Sequence, residues 1–323
     1  MKSFEWVEPK TLDEAISLLV EGAVVKAGGV DLMDRMKEGL DAPPRLINLR
    51  AIPGLDRVEE EPGGGLRIGP LVTLAELSEH PVVRQRFTAL ADAAGHAATP
   101  QIRNMATVGG NLLQRPRCWY FRQADFSCRK KGGEECLAQN GDNRYHAIFG
   151  NGVCAIVHPS AVAPALMVLG ASLEVRGPQG TRTLPVEELF VRPDQDVRRE
   201  HVLGERELIT AVRLPATTAR TAYSKQGEKE SFDWPLAEVA VALELDGRKV
   251  RKASVVLGAA APIPWRASAA EAALVGRELD AATVQAAAKA ALQGANPMTR
   301  NAYKLSIFEA VVRRTVLAAG GVA

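Results

Sequence analysis

Four cysteines, Cys118, Cys128, Cys136 and Cys154, are the only ones in 323 residues, and all fall in one polar stretch. Their spacing is C-x9-C-x7-C-x17-C. Four thiolates gathered by a fold can hold a metal ion or an iron–sulfur cluster. Unrelated buried thiols favour apolar surroundings, whereas these sit among Gly, Asn, Lys and Arg. Two disulfides suit a small secreted chain, and this one is long enough to build hydrophobic cores. Structural zinc sites commonly use C-x2-C pairs, absent here, while iron–sulfur clusters accept varied spacing. Arg117, Arg122, Arg129, Lys130 and Lys131 would favour thiolates and offset the charge of a cluster. Spacing alone leaves the cluster and zinc both open.

Two double-glycine turns form the second group. Val25-Lys26-Ala27-Gly28-Gly29-Val30-Asp31 reads as strand, turn and helix start, and Ala106-Thr107-Val108-Gly109-Gly110-Asn111 follows the same logic. Backbone amides exposed at such a turn, next to a helix N-terminus, suit a phosphate. A single Gly-Gly is more often a plain turn, but two could grip one pyrophosphate from two sides. Neither is a G-x-G-x-x-G fingerprint or a Walker loop, so Rossmann and P-loop readings are not supported. His158 before Pro159 reads as a loop or core histidine, and His80 and His96 lack partners at telling spacing. No nucleophile elbow, H-E-x-x-H or EF-hand loop occurs.

The elements around these residues follow from pattern. Thr11 and Glu14 form a capping box that starts a helix running to about Glu21, with Leu12, Ala15, Ile16 and Leu19 on its apolar face. A strand at Val24–Ala27, a helix at Asp31–Glu38 and a strand at Arg45–Leu49 complete a β-α-β unit over residues 1–55. A strand at Leu66–Gly69 and a second capping box, Thr73 with Glu76, open the next unit, with one helical stretch expected from Val82 to about Ala94. The cysteine segment, 115–154, is too long for an ordinary structureless loop, so something other than a hydrophobic core must order it. A helix at Ala161–Leu169 and strands at Ser172–Arg176 and Leu208–Leu214 carry this unit to a boundary near Pro215. Ala222–Gln226, Ala237–Leu245 and Lys252–Leu257 alternate like an antiparallel meander, and an alanine-rich helical tail runs from Ser268 to Ala318. The fold class is α+β, with units at 1–55, 56–215 and 216–323.

The bulk numbers exclude several classes. Net charge is +2 and aromatic residues make up 5%, so neither a nucleic-acid groove nor a base-stacking platform is indicated. Glu5, Glu8, Asp13 and Glu14 stand where a secretory signal would be apolar. The longest apolar runs, such as Ala161–Ala171, are too short to span a bilayer. The chain is therefore read as cytoplasmic, with no membrane contact of its own.

At the motif residues the chain resembles the FAD-binding, medium-sized subunits of the xanthine dehydrogenase family of molybdenum hydroxylases. The family's A-G-G-T-D-L loop is similar to Ala27-Gly28-Gly29-Val30-Asp31-Leu32, and its T-x-G-G-N turn to Thr107-Val108-Gly109-Gly110-Asn111. Leu66 to Leu74 matches the family's strand-to-helix pattern. The resemblance covers nearly the whole chain. It implies a two-part FAD-binding domain of the vanillyl-alcohol oxidase type, followed by a C-terminal antiparallel sheet-and-helix domain. It places cofactor contacts on Lys26 to Met33 (Lys26, Ala27, Gly28, Gly29, Val30, Asp31, Leu32, Met33), on Thr107, Gly109, Gly110 and Asn111, on Ile209 through its backbone, and on Lys225. One branch of the family, which includes aldehyde oxidoreductases and 4-hydroxybenzoyl-CoA reductases, carries an insert whose four cysteines bind a [4Fe–4S] cluster. Cys118-Trp119-Tyr120-Phe121-Arg122, Cys128, Cys136, Asn143 to Ala147, and Cys154 before His158-Pro159-Ser160 resemble that insert. Two departures stand out. Val30 replaces the usual threonine and so removes a hydroxyl, and Ala161 replaces an aspartate that follows H-P-S in that branch.

The implied activity is electron relay. Substrate would react at a molybdenum-cofactor large subunit, and electrons would pass through a [2Fe–2S] small subunit to FAD on this chain, in a heterotrimer with or without further dimerisation. A ferredoxin-like or other acceptor would exchange with it. Two other readings remain beside this one: a stand-alone flavin oxidoreductase with a zinc-bound insert, and a non-catalytic assembly subunit.

Overall fold

Three short strands make the N-terminal sheet because each carries a brief apolar run between breakers. In this computed structural model, which describes residues 1–321, β1 (Glu5–Val7) and β2 (Ala23–Lys26) both pair in parallel with β3 (Arg45–Asn48). Helix α1 (Leu12–Leu18) follows β1, and α2 (Val30–Lys37) follows β2. Thr11 caps α1 by accepting from the Glu14 amide, but Glu14 accepts from the Lys10 amide instead of completing a box. Ala15, Ile16 and Leu19 are buried against Ile47 and Leu55.

The second sheet is five-stranded. Its order is β4 (Val58–Glu60), β5 (Leu66–Ile68), β8 (Leu208–Leu214), β6 (Ser172–Gly177), β7 (Gly180–Pro185), all antiparallel. A bulge lies where β6 meets β8, between Glu174 and Val175. Helices α3 (Leu74–Glu79), α4 (Pro81–Arg86) and α5 (Thr88–Gly95) cover it, with α3 held by the full capping box of Thr73 and Glu76. The single helix expected over 82–94 is in fact two. Phe87 leaves helical geometry (φ −128°, ψ 51°) and is fully buried, so the chain turns there and its ring enters the core with Leu90. Short helices α6 (Pro100–Arg103), α7 (Val108–Leu112), α8 (Trp119–Arg122) and α9 (Val162–Val168) complete the unit. The second double glycine therefore lies inside a helical turn, α7, capped by Thr107.

The C-terminal meander is β9 (Arg220–Gln226), β10 (Ala237–Asp246), β11 (Lys249–Gly258) and β12 (Trp265–Arg266), antiparallel throughout. The alanine-rich tail is not one helix. It divides into α10 (Ser268–Leu274), α11 (Ala281–Ala290) and α12 (Lys304–Gly320), with Gly276 and Gly294 at positive φ in the breaks. Phe308, Val312 and Val316 of α12 pack on Val239 and Val241 of β10. The α+β architecture with a C-terminal antiparallel sheet agrees with the sequence reading. No helix among the described residues is long and apolar enough to cross a membrane.

The cysteine segment is held both by Ile148 and Phe149, which join the C-terminal hydrophobic core, and by polar contacts. Asn143 donates to the carbonyl of Ala138 and to Thr299 Oγ1, and accepts from the Arg300 amide. Asn301 donates to the carbonyl of His146 at 3.1 Å, and Lys304 Nζ donates to the same carbonyl at 3.2 Å.

Candidate functional site

The first double glycine sits where β2 ends and α2 begins. Gly29 has φ +84°, a conformation that a Cβ opposes. A Cβ on Gly28 would overlap the carbonyl oxygen of Met105, just ahead of the second loop. The two loops thus approach so closely that only hydrogen fits between them. Together they wall a cavity of about 980 Å³ that also reaches β8, β9 and the loop before β10.

Lys26, Ala27, Gly28, Gly29, Val30, Asp31, Leu32, Thr107, Gly109, Gly110, Asn111, Ile209 and Lys225 all line this cavity. Met33 does not; it packs beside Leu32, Met36 and Leu46. The two loops differ in what their amides offer. Val30, Asp31 and Leu32 open α2, so their N–H groups have no acceptor within that helix. In the second loop, Gly109 N donates to the Pro70 carbonyl at 2.9 Å and Gly110 N to Thr107 Oγ1 at 3.2 Å. Those two amides are committed to the loop itself. Asn111 Oδ1 accepts from Ser160 Oγ at 2.6 Å, which ties α7 to the start of α9. The grip on an anion from both sides therefore reduces to one loop that presents amides and one that shapes the wall.

Asp31 serves structure as well as the cavity. Its carboxylate meets Arg35, Arg117 and Arg122 at 2.5, 2.9 and 2.6 Å. Burial pushes the Asp31 carboxyl up, but Arg117 and Arg122 outweigh it and hold it below the usual aspartate range. Arg117 and Arg122 flank Cys118, so the first loop is bonded directly to the cysteine segment. Lys26 lies over the Trp6 ring, 5.2 Å from its centroid, and burial lowers its pKa. Lys225 donates to the His96 carbonyl at 3.1 Å and is lowered mainly by burial.

All four thiols line a second pocket, of about 10 Å³, with Lys130 and His146. The neighbouring Cys154 thiol lowers Cys136, to about 6, and Cys136 in turn raises Cys154. Cys118 is pushed up to about 11 by burial, and its sulfur lies 3.2 Å from His146 Nε2. The expectation of a ready-made metal cradle is not met: among the described residues, no group of three or more His, Cys, Asp or Glu is gathered closely enough to hold an ion. The four thiols line one small pocket, and the Cys118 sulfur already meets His146 Nε2.

Sequence reasoning missed several cavity residues. Arg117, His201, Phe232, Trp234 and Glu238 all line it. Glu238 had a readable signal, a lone carboxylate inside the apolar run Leu236–Leu243. Trp234 did not, because it lies in a connecting loop, where the Arg117 guanidinium stacks 4.9 Å from its ring centroid.

Comparison with known proteins gives a consistent result. Residues 2–217 match the family described as the FAD binding domain in molybdopterin dehydrogenase, and 222–319 match the CO dehydrogenase flavoprotein C-terminal domain. The chain is 36% identical to the aldehyde oxidoreductase FAD-binding subunit PaoB of Escherichia coli (strain K12), over 94% of each chain. It is 29% identical to the carbon monoxide dehydrogenase medium chain of Hydrogenophaga pseudoflava, over 98% of this chain and 96% of that one. A solved structure of carbon monoxide dehydrogenase from Hydrogenophaga pseudoflava superposes with a TM-score of 0.78 at 29% identity, covering 99% of this chain and 98% of that one.

Proposed function

Since the chain belongs to the FAD-binding medium subunits of the molybdenum hydroxylase and xanthine dehydrogenase family, we propose that it binds FAD in the 980 Å³ cavity and relays electrons within a multi-subunit oxidoreductase. The observation that carries the reading is the meeting of the Gly28 loop with Met105, which joins both glycine motifs in one cavity wall.

The amides of Val30, Asp31 and Leu32 hold the pyrophosphate at the positive end of α2. Gly28 and Gly109 let the backbone pass close to the neighbouring wall. Val30 supplies no hydroxyl, so the contact there is through backbone alone. Ile209, through its backbone, and Lys225 border the ring system, and Ala161 leaves that wall apolar. When bound, FAD supplies exchange between one-electron and two-electron carriers. The partners are a molybdenum-cofactor large subunit and a [2Fe–2S] small subunit, and the medium chain of carbon monoxide dehydrogenase among the relatives supports such an assembly. The units 1–55, 56–215 and 216–323 act as two halves of the flavin site and a closing domain.

The second part of the proposal is that Cys118, Cys128, Cys136 and Cys154 ligate a [4Fe–4S] cluster. The convergence of the four sulfurs on one pocket supports it. Lys130, which lines the same pocket, would stand beside the added negative charge.

Anaerobic purification with flavin and metal quantification tests both parts. Roughly one FAD and about four irons per chain are expected, the irons from the four-thiolate ligand set. Zinc with flavin would replace the cluster by a structural metal. Protein without flavin would overturn the electron-relay reading itself.

A further inference from the structure

Glu238 is the one carboxylate in the inward-facing apolar stretch of β10, and it is 2% exposed. It lines the large cavity, which the glycine loops also line. β9 and β10 pair so that Lys225 lies directly across from it. Tyr223, two residues earlier on β9, donates its hydroxyl to Glu238 Oε1 at 2.7 Å. Gly258 of β11 packs against it, and a Cβ there would overlap Glu238 Oε2. The charges that face the carboxylate are Lys225 on β9 and Lys304 on α12. Asp92 of α5 faces Tyr223 from behind.

A buried carboxylate beside a redox cofactor has one physical consequence. Charge added to a low-dielectric cavity is costly unless a proton follows it. Resting on the flavin reading above, we propose that Glu238 is a redox-linked proton site, which takes up a proton when the flavin in this cavity is reduced and releases it on reoxidation. For each pair of electrons received from one-electron carriers on partner subunits, two protons enter from solvent through the cavity. One joins the flavin and the other rests on a Glu238 oxygen, with no bond to carbon formed or broken. Tyr223 is a positioning residue, since its hydroxyl fixes the carboxylate rotamer.

Burial is the leading cause that brings Glu238 up to about 7, against the pull of Tyr223, Lys225 and Lys304. Uptake is therefore greatest above neutrality, where the carboxylate starts out ionised. It vanishes near pH 5, where the group is already protonated.

The test is redox-difference infrared spectroscopy on the flavin-loaded complex with its partner subunits, in H2O and D2O, for the parent protein, Glu238→Gln and Tyr223→Phe. The parent should gain a deuterium-sensitive carboxylic-acid C=O band on reduction, growing from pH 5 to pH 8. Glu238→Gln should lack that band and show a weaker pH dependence of the flavin midpoint potential. Tyr223→Phe should keep the band at a shifted frequency. A parent protein without the band, or a variant that retains it, overturns the inference while leaving the flavin reading intact. A parent complex that carries no flavin overturns both. Should Glu238→Gln not fold, the parent band and its shift in Tyr223→Phe still decide the matter.

Discussion

The ammonium of Lys130 lies 2.6 Å from a carboxylate oxygen of Glu200, and the pair links the thiol pocket to the large cavity. Lys130 lines the pocket of the four thiols, and Glu200 lines the large cavity. The Lys130 side chain is 1% exposed and that of Glu200 10%. Glu200 also accepts from Arg115 at 3.1 Å, whereas Lys130 has Glu200 as its carboxylate and the Val197 carbonyl as a further acceptor.

That asymmetry makes a prediction. Removing one member of a buried pair leaves the other uncompensated, at a cost of roughly 3–5 kcal/mol. Glu200→Gln should show the full loss, because Lys130 then keeps its charge without a carboxylate. Lys130→Met should cost less, because Arg115 still faces Glu200. Denaturant unfolding of the two variants decides the order, and equal losses would mean that Arg115 contributes nothing.

Asp31 predicts an acid dependence. Its pKa is lowered on folding, so its stabilisation is complete above the ordinary aspartate range and is lost as pH falls through the lowered value. Asp31→Asn should destabilise by about 3 kcal/mol at neutral pH, since three arginines lose their shared partner. It should also flatten the acid limb of a stability–pH curve. A variant as acid-sensitive as the parent would show that other carboxylates carry that limb.

Gly28 predicts a steric effect with a ready control. Gly28→Ala drives a methyl into the Met105 carbonyl, and overpacking of that kind costs ~1–3 kcal/mol or more. The glycine loops must part, so flavin retention should fall with stability. Gly152→Ala, whose Cβ would meet open space, should stay within about 0.5 kcal/mol of the parent. Thermal melts and flavin content of both variants give the comparison.

Glu238 and Lys304 predict a stability minimum near neutrality. Burial raises Glu238 to about 7, so the folded chain binds an extra proton below that value and loses stability as pH climbs from 4.5 to 7. Burial lowers Lys304 to about 7, so the unfolded chain binds the extra proton above it and stability returns as pH climbs from 7 to 10.5. Glu238→Gln should remove the falling limb and Lys304→Met the rising one, in urea titrations across that range. Parallel pH curves for parent and variants would refute the pairing.

Much of the architecture was legible because it rests on short-range signals. Thr73 with Glu76 announced α3, and alternation announced β9, β10 and β11. Phe87 was not legible as a break, because its backbone turn is set by the core it fills and not by a breaker residue. The strands β1 and β4 have three residues each and β7 is almost wholly exposed, so they carry little alternation to read. At the site, the glycine loops were visible as motifs, but the occupied amides of Gly109 and Gly110 depend on Pro70 and the Thr107 cap. The cysteines were visible as a group, while the approach of Cys118 to His146 was not, since it depends on how the segment closes.

The hydrogen bonds that hold the cysteine segment also order its birth on the ribosome. Asn143 is bonded to Thr299, 156 residues downstream, and His146 receives its buried partners from Asn301 and Lys304. Cys118 through Cys154 therefore leave the exit tunnel long before the residues that pin them in place. During that interval the four thiols lack the contacts that later bury them. Were the four thiols to ligate the proposed cluster, a cluster loaded before Lys304 docks would meet a segment not yet pinned in place.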